Sequence, residues 1–179
     1  MNIQIICNYF GGVLEFVRDV QTEQGTYKKG SGVRVTPSIL WLISTGVIDA
    51  ENDIKMHLRQ IHQLEDSEVR ELCKLVHPNV QMLEFPKVHR NGIGKDFTIQ
   101  LEISKGTSFC INGVFDLTVV ESMDFGGQPI HTYNSVENQV LAFNWATNKQ
   151  LDIYNLVPAG KAFGRKNWGK DDYENNPEN

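Results

Sequence analysis

The sequence predicts an α+β fold with antiparallel sheet, a central cluster of about three helices and one C-terminal helix. Apolar and polar residues alternate near the amino terminus and again beyond residue 80, which indicates half-buried strands. Between these stretches the apolar residues recur at helical spacing. Because strands and helices are segregated along the chain, an antiparallel sheet is favoured over parallel βαβ units.

The amino-terminal part of the chain predicts a β-hairpin. Apolar residues alternate with polar ones over residues 3–7, and two glycines permit a tight turn before a second alternating stretch over residues 13–20. The polar, glycine-punctuated residues 21–32 indicate a loop. A short third strand is predicted over residues 33–35.

Three helices are predicted in the centre of the chain, over residues 38–45, 49–63 and 66–77. The first begins at Thr36-Pro37, which combines an N-cap hydroxyl with a proline at the first helical position, and Gly46 suits its C-cap. The other two are predicted from apolar residues at helical spacing. The last of them is ended by Pro78.

Beyond Val80 the period of the apolar residues changes to two. Three strands are expected there, over residues 82–89, 96–104 and 109–121. A glycine-rich loop follows over residues 124–133. Asn134, with Glu137 three residues later, resembles a capping box and predicts a helix through residue 148.

One domain is expected over residues 1–163, followed by a flexible acidic tail over residues 164–179. A chain of 179 residues is long enough to bury a core without disulfides or metal. From residue 171 onward the tail has four acidic residues and no basic one, and nothing in its pattern would form a core element.

The composition restricts the compartment and the cofactors. No apolar run approaches the roughly 20 residues that span a bilayer, and the amino terminus lacks the pattern of a secretory signal. The three cysteines are widely spaced, which is typical of a reducing compartment and argues against structural zinc. We therefore expect a cytoplasmic protein with no metal and no cofactor.

No catalytic residue is predicted. His57 and His62 are five residues apart, which places them about 140° out of phase on a helix, so we expect exposed helical histidines rather than metal ligands. His77 is expected at a helix C-terminus, where a positive charge is favourable. A nucleophilic pair of Cys110 and His131 is an alternative that no motif supports.

Charge is the most informative feature of the sequence. The chain has 17 basic and 22 acidic residues, a formal net charge of −5, so a uniformly basic nucleic-acid coat protein is disfavoured. Three segments nevertheless contain no acid, and they hold most of the bases. We predict that these bases form a binding patch, unless they only confer solubility: Lys28, Lys29, Arg34, Lys87, Arg90, Lys95, Lys161, Arg165, Lys166 and Lys170.

Aromatic residues are the second group of candidate binding residues. Tyr27 lies near the first basic segment, while Trp168 and Tyr173 lie in the predicted tail. Such side chains stack on bases or fill a partner's pocket, and we predict these three as anchors. Trp41 and Trp145, by contrast, are expected in the core.

Two segments resemble small uncharacterised proteins of Bacteroidetes phages and prophages. Residues 58–72, LRQIHQLEDSEVREL, are similar to a segment with the form LRPLSDLTEEEA in that group. Within residues 145–162, the stretch LDIYNLVPAGKA is similar to the carboxyl-terminal pattern FDVFGLIEAGLAID. The resemblance implies a mobile-element origin. It implies no catalytic residue, since the group has no assigned chemistry.

These observations favour a non-enzymatic binding protein of phage or prophage type. It would occupy a host protein or ribonucleoprotein, for instance as an inhibitor of a host defence system of the anti-CRISPR type. One alternative is a nucleic-acid-binding protein that uses the basic loops. Another is a small cysteine- or metal-dependent enzyme. The sequence leaves the oligomeric state open.

Overall fold

The computed structural model describes residues 1–92, 96–113, 115–121, 130–133 and 135–164, and the predicted α+β class is confirmed. The chain forms two compact units. The first unit combines Met1–Arg59 with the chain from Thr147 onward, and the second unit is Gln60–Ala146. Apart from Gly164, the predicted tail lies outside the described residues.

The helices are α1 (Ile3–Cys7), α2 (Pro37–Ser44), α3 (Asp66–Val76) and α4 (Val136–Asn148), with a 3-10 turn at Ile61–Gln63. The strands are β1 (Val13–Phe16), β2 (Val20–Thr22), β3 (Gly25–Tyr27), β4 (Gly32–Arg34), β5 (Ile54–Leu58), β6 (Val88–Asn91), β7 (Thr98–Ser104), β8 (Thr107–Asn112), β9 (Leu117–Glu121), β10 (Ile130–Tyr133) and β11 (Ala162–Gly164).

The first unit is built on a four-stranded sheet in the order β11-β5-β1-β4. Strand β1 pairs antiparallel with both β4 and β5, while β11 pairs parallel with β5. One face of the sheet is apolar: Leu14 lies between Val33 and Met56, and all three are buried. Ile39 and Leu42 of α2 belong to the same core.

Residues 3–7 form a helix, so the strand and the hairpin predicted for this segment are wrong. Asn2 is the N-cap, and its side chain accepts a hydrogen bond from the Gln4 N–H at 2.9 Å. Ile6 and Tyr9, which the alternating pattern did not include, are the buried residues of this stretch. A capping side chain and two buried residues three apart therefore outweigh the period-two pattern.

The helix predicted over residues 49–63 is also wrong. Asp53 accepts the Asp49 N–H at 2.7 Å in a tight turn, and the chain then enters β5. Ile54 and Leu58 are four apart, which fits a helix, but they also fit a strand when Met56 is counted between them. Pairing with β1 and β11 selects the strand.

Two predicted helices are confirmed, and α2 has the caps that were predicted for it. The Thr36 hydroxyl accepts the Ile39 N–H at 3.3 Å, and Gly46 has a φ of 76° just after α2. Helix α3 begins with a capping box in which Glu65 and Glu68 exchange side-chain and backbone hydrogen bonds.

The second unit contains a five-stranded antiparallel sheet in the order β10-β9-β8-β7-β6, together with α3 and most of α4. Ile99, Leu101 and Ile103 alternate on the buried face of β7. The expected strand over residues 82–89 begins only at Val88, and the one over 109–121 is two strands that turn at Phe115, whose φ is 57°.

In the carboxyl-terminal part of the second unit, the structure adds a strand and a helix cap that the sequence did not predict. Residues 130–133, expected in a glycine-rich loop, form β10. The predicted N-cap of α4, Asn134, lies outside the described residues. Ser135 accepts hydrogen bonds from the first turn of this helix, through its side chain from Asn138 and through its carbonyl from Gln139.

His77, the C-cap of α3, makes the stability of the protein depend on pH. Burial lowers the pKa of His77 below its ordinary value of 6.5, so the predicted preference for a positive charge at this helix end is outweighed. The unfolded chain therefore takes up the proton at a higher pH than the folded chain. Stability is full above pH 6.5 and falls as the pH drops toward the lowered pKa.

The variant His77→Phe keeps an aromatic ring beside Phe109. When the pH is lowered from about 7.5 to about 5.5, we expect its free energy of unfolding to fall by less than that of the wild type. Urea unfolding at both pH values measures the difference. His62→Gln is the matched control, because His62 is an exposed histidine of the same unit. An unchanged pH dependence in His77→Phe would show that another group titrates.

Candidate protein-binding surface

The outer face of α2 is uncharged and carries an exposed tryptophan. Ile39, Leu42 and Ile43 turn toward the core, while Trp41 on the opposite face is 61% exposed. No residue of α2 is charged. The exposed residues of α2 are Pro37, Ser38, Trp41 and Ser44, so its outer face is uncharged and offers one large apolar side chain to a partner. The prediction that Trp41 belongs to the core is therefore wrong.

Both ends of α2 are capped, so the backbone that carries Trp41 is held in place. Thr36 caps the first turn. In the last turn the carbonyl of Trp41 accepts hydrogen bonds from the hydroxyls of Ser44 at 2.8 Å and Thr45 at 3.0 Å. A side chain on a preorganised element loses little backbone entropy on binding.

A second exposed aromatic residue, Phe10, lies close to the start of α2. Phe10 is 63% exposed. The next two residues form hydrogen bonds with Val35. The Gly11 N–H donates to the Val35 carbonyl at 2.9 Å, and the Val35 N–H donates to the Gly12 carbonyl at 2.8 Å. Only glycine fits at position 12, where a Cβ would lie 2.8 Å from the Tyr9 carbonyl oxygen. We call Phe10 and the outer face of α2 the α2 surface.

The described basic residues lie in both units, and several of them have structural partners. Lys28 Nζ lies 3.1 Å from the Asp19 carboxylate, which also accepts the Lys29 N–H at 2.8 Å. These contacts, the backbone hydrogen bond first, lower the pKa of Asp19. Arg34 donates to the Gly11 carbonyl at 3.2 Å. Lys161 is exposed in the first unit.

In the second unit, Arg90 is engaged and Lys87 is exposed. Arg90 donates to the Leu64 carbonyl at 2.8 Å and lies 2.7 Å from Asp66. Each unit therefore carries only part of the predicted patch. Four of its members lie outside the described residues: Lys95, Arg165, Lys166 and Lys170.

The predicted aromatic anchors differ from the exposed aromatic residues. Tyr27 is fully buried and stacks on Phe16 with ring centroids 4.6 Å apart, so it is a core residue and its predicted role as an anchor is corrected. Trp168 and Tyr173 lie outside the described residues. Trp145 is buried as expected, and its indole N–H donates to Glu71 at 2.8 Å.

His57 is a buried strand residue, so the prediction of an exposed helical histidine is wrong. Its Nε2 lies 2.7 Å from a Glu15 oxygen and its Nδ1 lies 3.1 Å from the Gly164 carbonyl. With both nitrogens engaged, the imidazole links β1, β5 and β11 as a structural group.

A cavity of about 260 Å³ lies on the polar face of the second unit's sheet, lined by His89, Gln100, Glu102, Gly106, Ser108 and Val120. The Ser108 hydroxyl accepts from the Gln100 amide at 2.9 Å. Gln100 is also the register partner of His89. In the part of the chain that the structure describes, no three His, Cys, Asp or Glu residues could hold a metal ion.

Comparisons with models of protein families, with curated proteins and with solved structures find no match for this chain. The resemblance to phage proteins therefore stays a prediction. No helix among the described residues is long and apolar enough to cross a membrane.

The cysteines should differ sharply in reactivity. Cys7 is exposed, whereas Cys73 and Cys110 are buried, and burial raises the pKa of Cys73 to about 12 and also raises that of Cys110. We expect an alkylating reagent to modify only Cys7 in the native protein and all three residues in denaturant, because the thiolate is the nucleophile. Mass spectrometry of the alkylated protein measures this.

Cys7→Ser should abolish alkylation of the native protein, and it serves as the control. Rapid native alkylation of Cys110 would contradict the buried environment and would favour the cysteine-enzyme alternative.

Proposed function

We propose that this chain is a non-enzymatic binding protein whose α2 surface docks into an apolar groove of a protein partner. The observation that carries the proposal is Trp41, exposed on a charge-free helix whose two ends are capped. Tryptophan is enriched among the residues that dominate binding energies at protein interfaces. Phe10, near the start of the same helix, adds a second aromatic contact.

The chemistry of the α2 surface favours a protein partner over a nucleic acid. Binding to a phosphate backbone needs lysine or arginine side chains, and α2 has neither. The alternative, a nucleic-acid-binding protein that uses its basic loops, would depend on the exposed lysines Lys29, Lys87 and Lys161. It predicts a binding constant that falls steeply with salt, whereas docking through Trp41 predicts a weak salt dependence.

The finer form of the proposal depends on the resemblance of residues 58–72 and 145–162 to phage proteins. In that setting the chain would act in the cytoplasm of a bacterial host and occupy a host protein or ribonucleoprotein. Inhibition of a host defence system, of the anti-CRISPR type, is the most concrete outcome.

Substitution of Trp41 tests the proposal. We expect Trp41→Ala to weaken binding to a partner isolated from host lysate by about 30-fold or more, since truncation of such an anchor costs roughly 2 kcal/mol or more. Its thermal stability should stay close to that of the wild type, because the side chain is exposed. Titration of purified partner at two salt concentrations gives the affinities.

Phe85→Ala is the matched control, because Phe85 is an aromatic residue of the second unit that is 82% exposed. It should bind like the wild type. Equal binding by Trp41→Ala and the wild type would contradict the proposal, as would binding that nuclease treatment abolishes.

A further inference from the structure

A cleft in the first unit brings two lysines together. Its volume is about 270 Å³, and its lining includes the apolar residues Ala50 and Ile54. Lys55 and Lys161 also line it, together with Met1, Glu51, Asn52 and Gly160. The cleft is separate from the α2 surface in its residues and in its chemistry.

The register of the sheet fixes the two lysines as neighbours. Strands β5 and β11 are parallel, and Met56 pairs with Ala162. Lys55 immediately precedes Met56, and Lys161 immediately precedes Ala162. Because adjacent strands lie about 4.8 Å apart, the backbones of these two residues lie close together, and both lysines line the cleft.

The positive charge of this pair is not balanced by a neighbouring acid. Glu51, the carboxylate of the cleft, accepts a hydrogen bond from the Met1 ammonium at 3.1 Å. Lys55 Nζ lies 5.1 Å from the centre of the Phe163 ring, and neither Lys55 nor Lys161 has an ion-pair partner among the described residues. Glu15, the register partner of Lys55 on β1, is engaged by His57.

We propose that this cleft binds the phosphate group of a small ligand. Two lysines that line one cleft give it a positive potential, and a doubly charged anion with several acceptor oxygens complements that potential. Lysine binds phosphate as a point charge and does not need the bidentate geometry of arginine. The apolar side of the cleft would contact the uncharged part of the ligand.

Titration of the full-length protein with a nucleoside monophosphate, with inorganic phosphate and with the corresponding nucleoside tests the proposal. Backbone amide chemical shifts in NMR spectra report both the affinity and the site. We expect the two phosphate compounds, but not the nucleoside, to shift residues 50–55 and 160–162. A tighter fit for the monophosphate identifies a phosphate ester as the ligand, and equal affinities identify free phosphate.

Lys55→Ala and Lys161→Ala should each weaken binding by about tenfold, as loss of a charge-assisted contact does. Lys29→Ala is the control, because it removes an exposed lysine of the same unit from outside the cleft. Trp41→Ala should bind phosphate normally, so failure of this proposal is distinguishable from failure of the protein-docking proposal. The proposal would be overturned if millimolar phosphate at low salt caused no chemical-shift change. It would also be overturned if the chemical-shift changes persisted in the variant that combines Lys55→Ala with Lys161→Ala.

Discussion

The register of β5 is the constraint on which the first unit depends. This strand pairs with β1 on one side and β11 on the other, and it is buried on both faces. Met56 packs in the apolar core, while His57 faces Glu15 on the opposite side of the sheet. A slip of one residue would exchange them and place a polar imidazole in the core, so the alternative register is strongly disfavoured.

The same register connects the core to both candidate surfaces. On the apolar face, the side chains of β1 and β5 complete the core that holds the inner residues of α2, which leaves Trp41 outward. At the edge, pairing with β11 brings Lys55 beside Lys161. The first unit thus carries two surfaces of different chemistry, one apolar and one cationic. Under the two proposals, the protein would recognise a partner and a small ligand at separate places.

Residues that act locally were predictable from the sequence, and those that depend on tertiary pairing were not. Thr36 and Gly46 delimit α2 through their own caps, and Pro78 lies just beyond α3, so both helices were identified correctly. The β5 segment fits two periods equally well, and only its partners, far away in sequence, select the strand.

The candidate site shows the same division. Lys161 was predicted from the acid-free segment, but Lys55 was not, because it lies in the segment over residues 49–63 that was predicted as a helix. Trp41 was assigned to the core because an apolar helix without charges does not indicate which face is outward. The serines Ser38 and Ser44, three residues to either side of Trp41, were the signal that this face of α2 is exposed.

The hydrogen bond between His57 and Gly164 spans 107 residues of chain, and it has a consequence for biosynthesis. The sheet of the first unit needs β11, which the ribosome makes after the whole of Gln60–Ala146. The second unit is continuous in sequence and is closed by sequential antiparallel strands. Because domains fold as they emerge and distant contacts form late, the middle of the chain is able to finish folding before the beginning does.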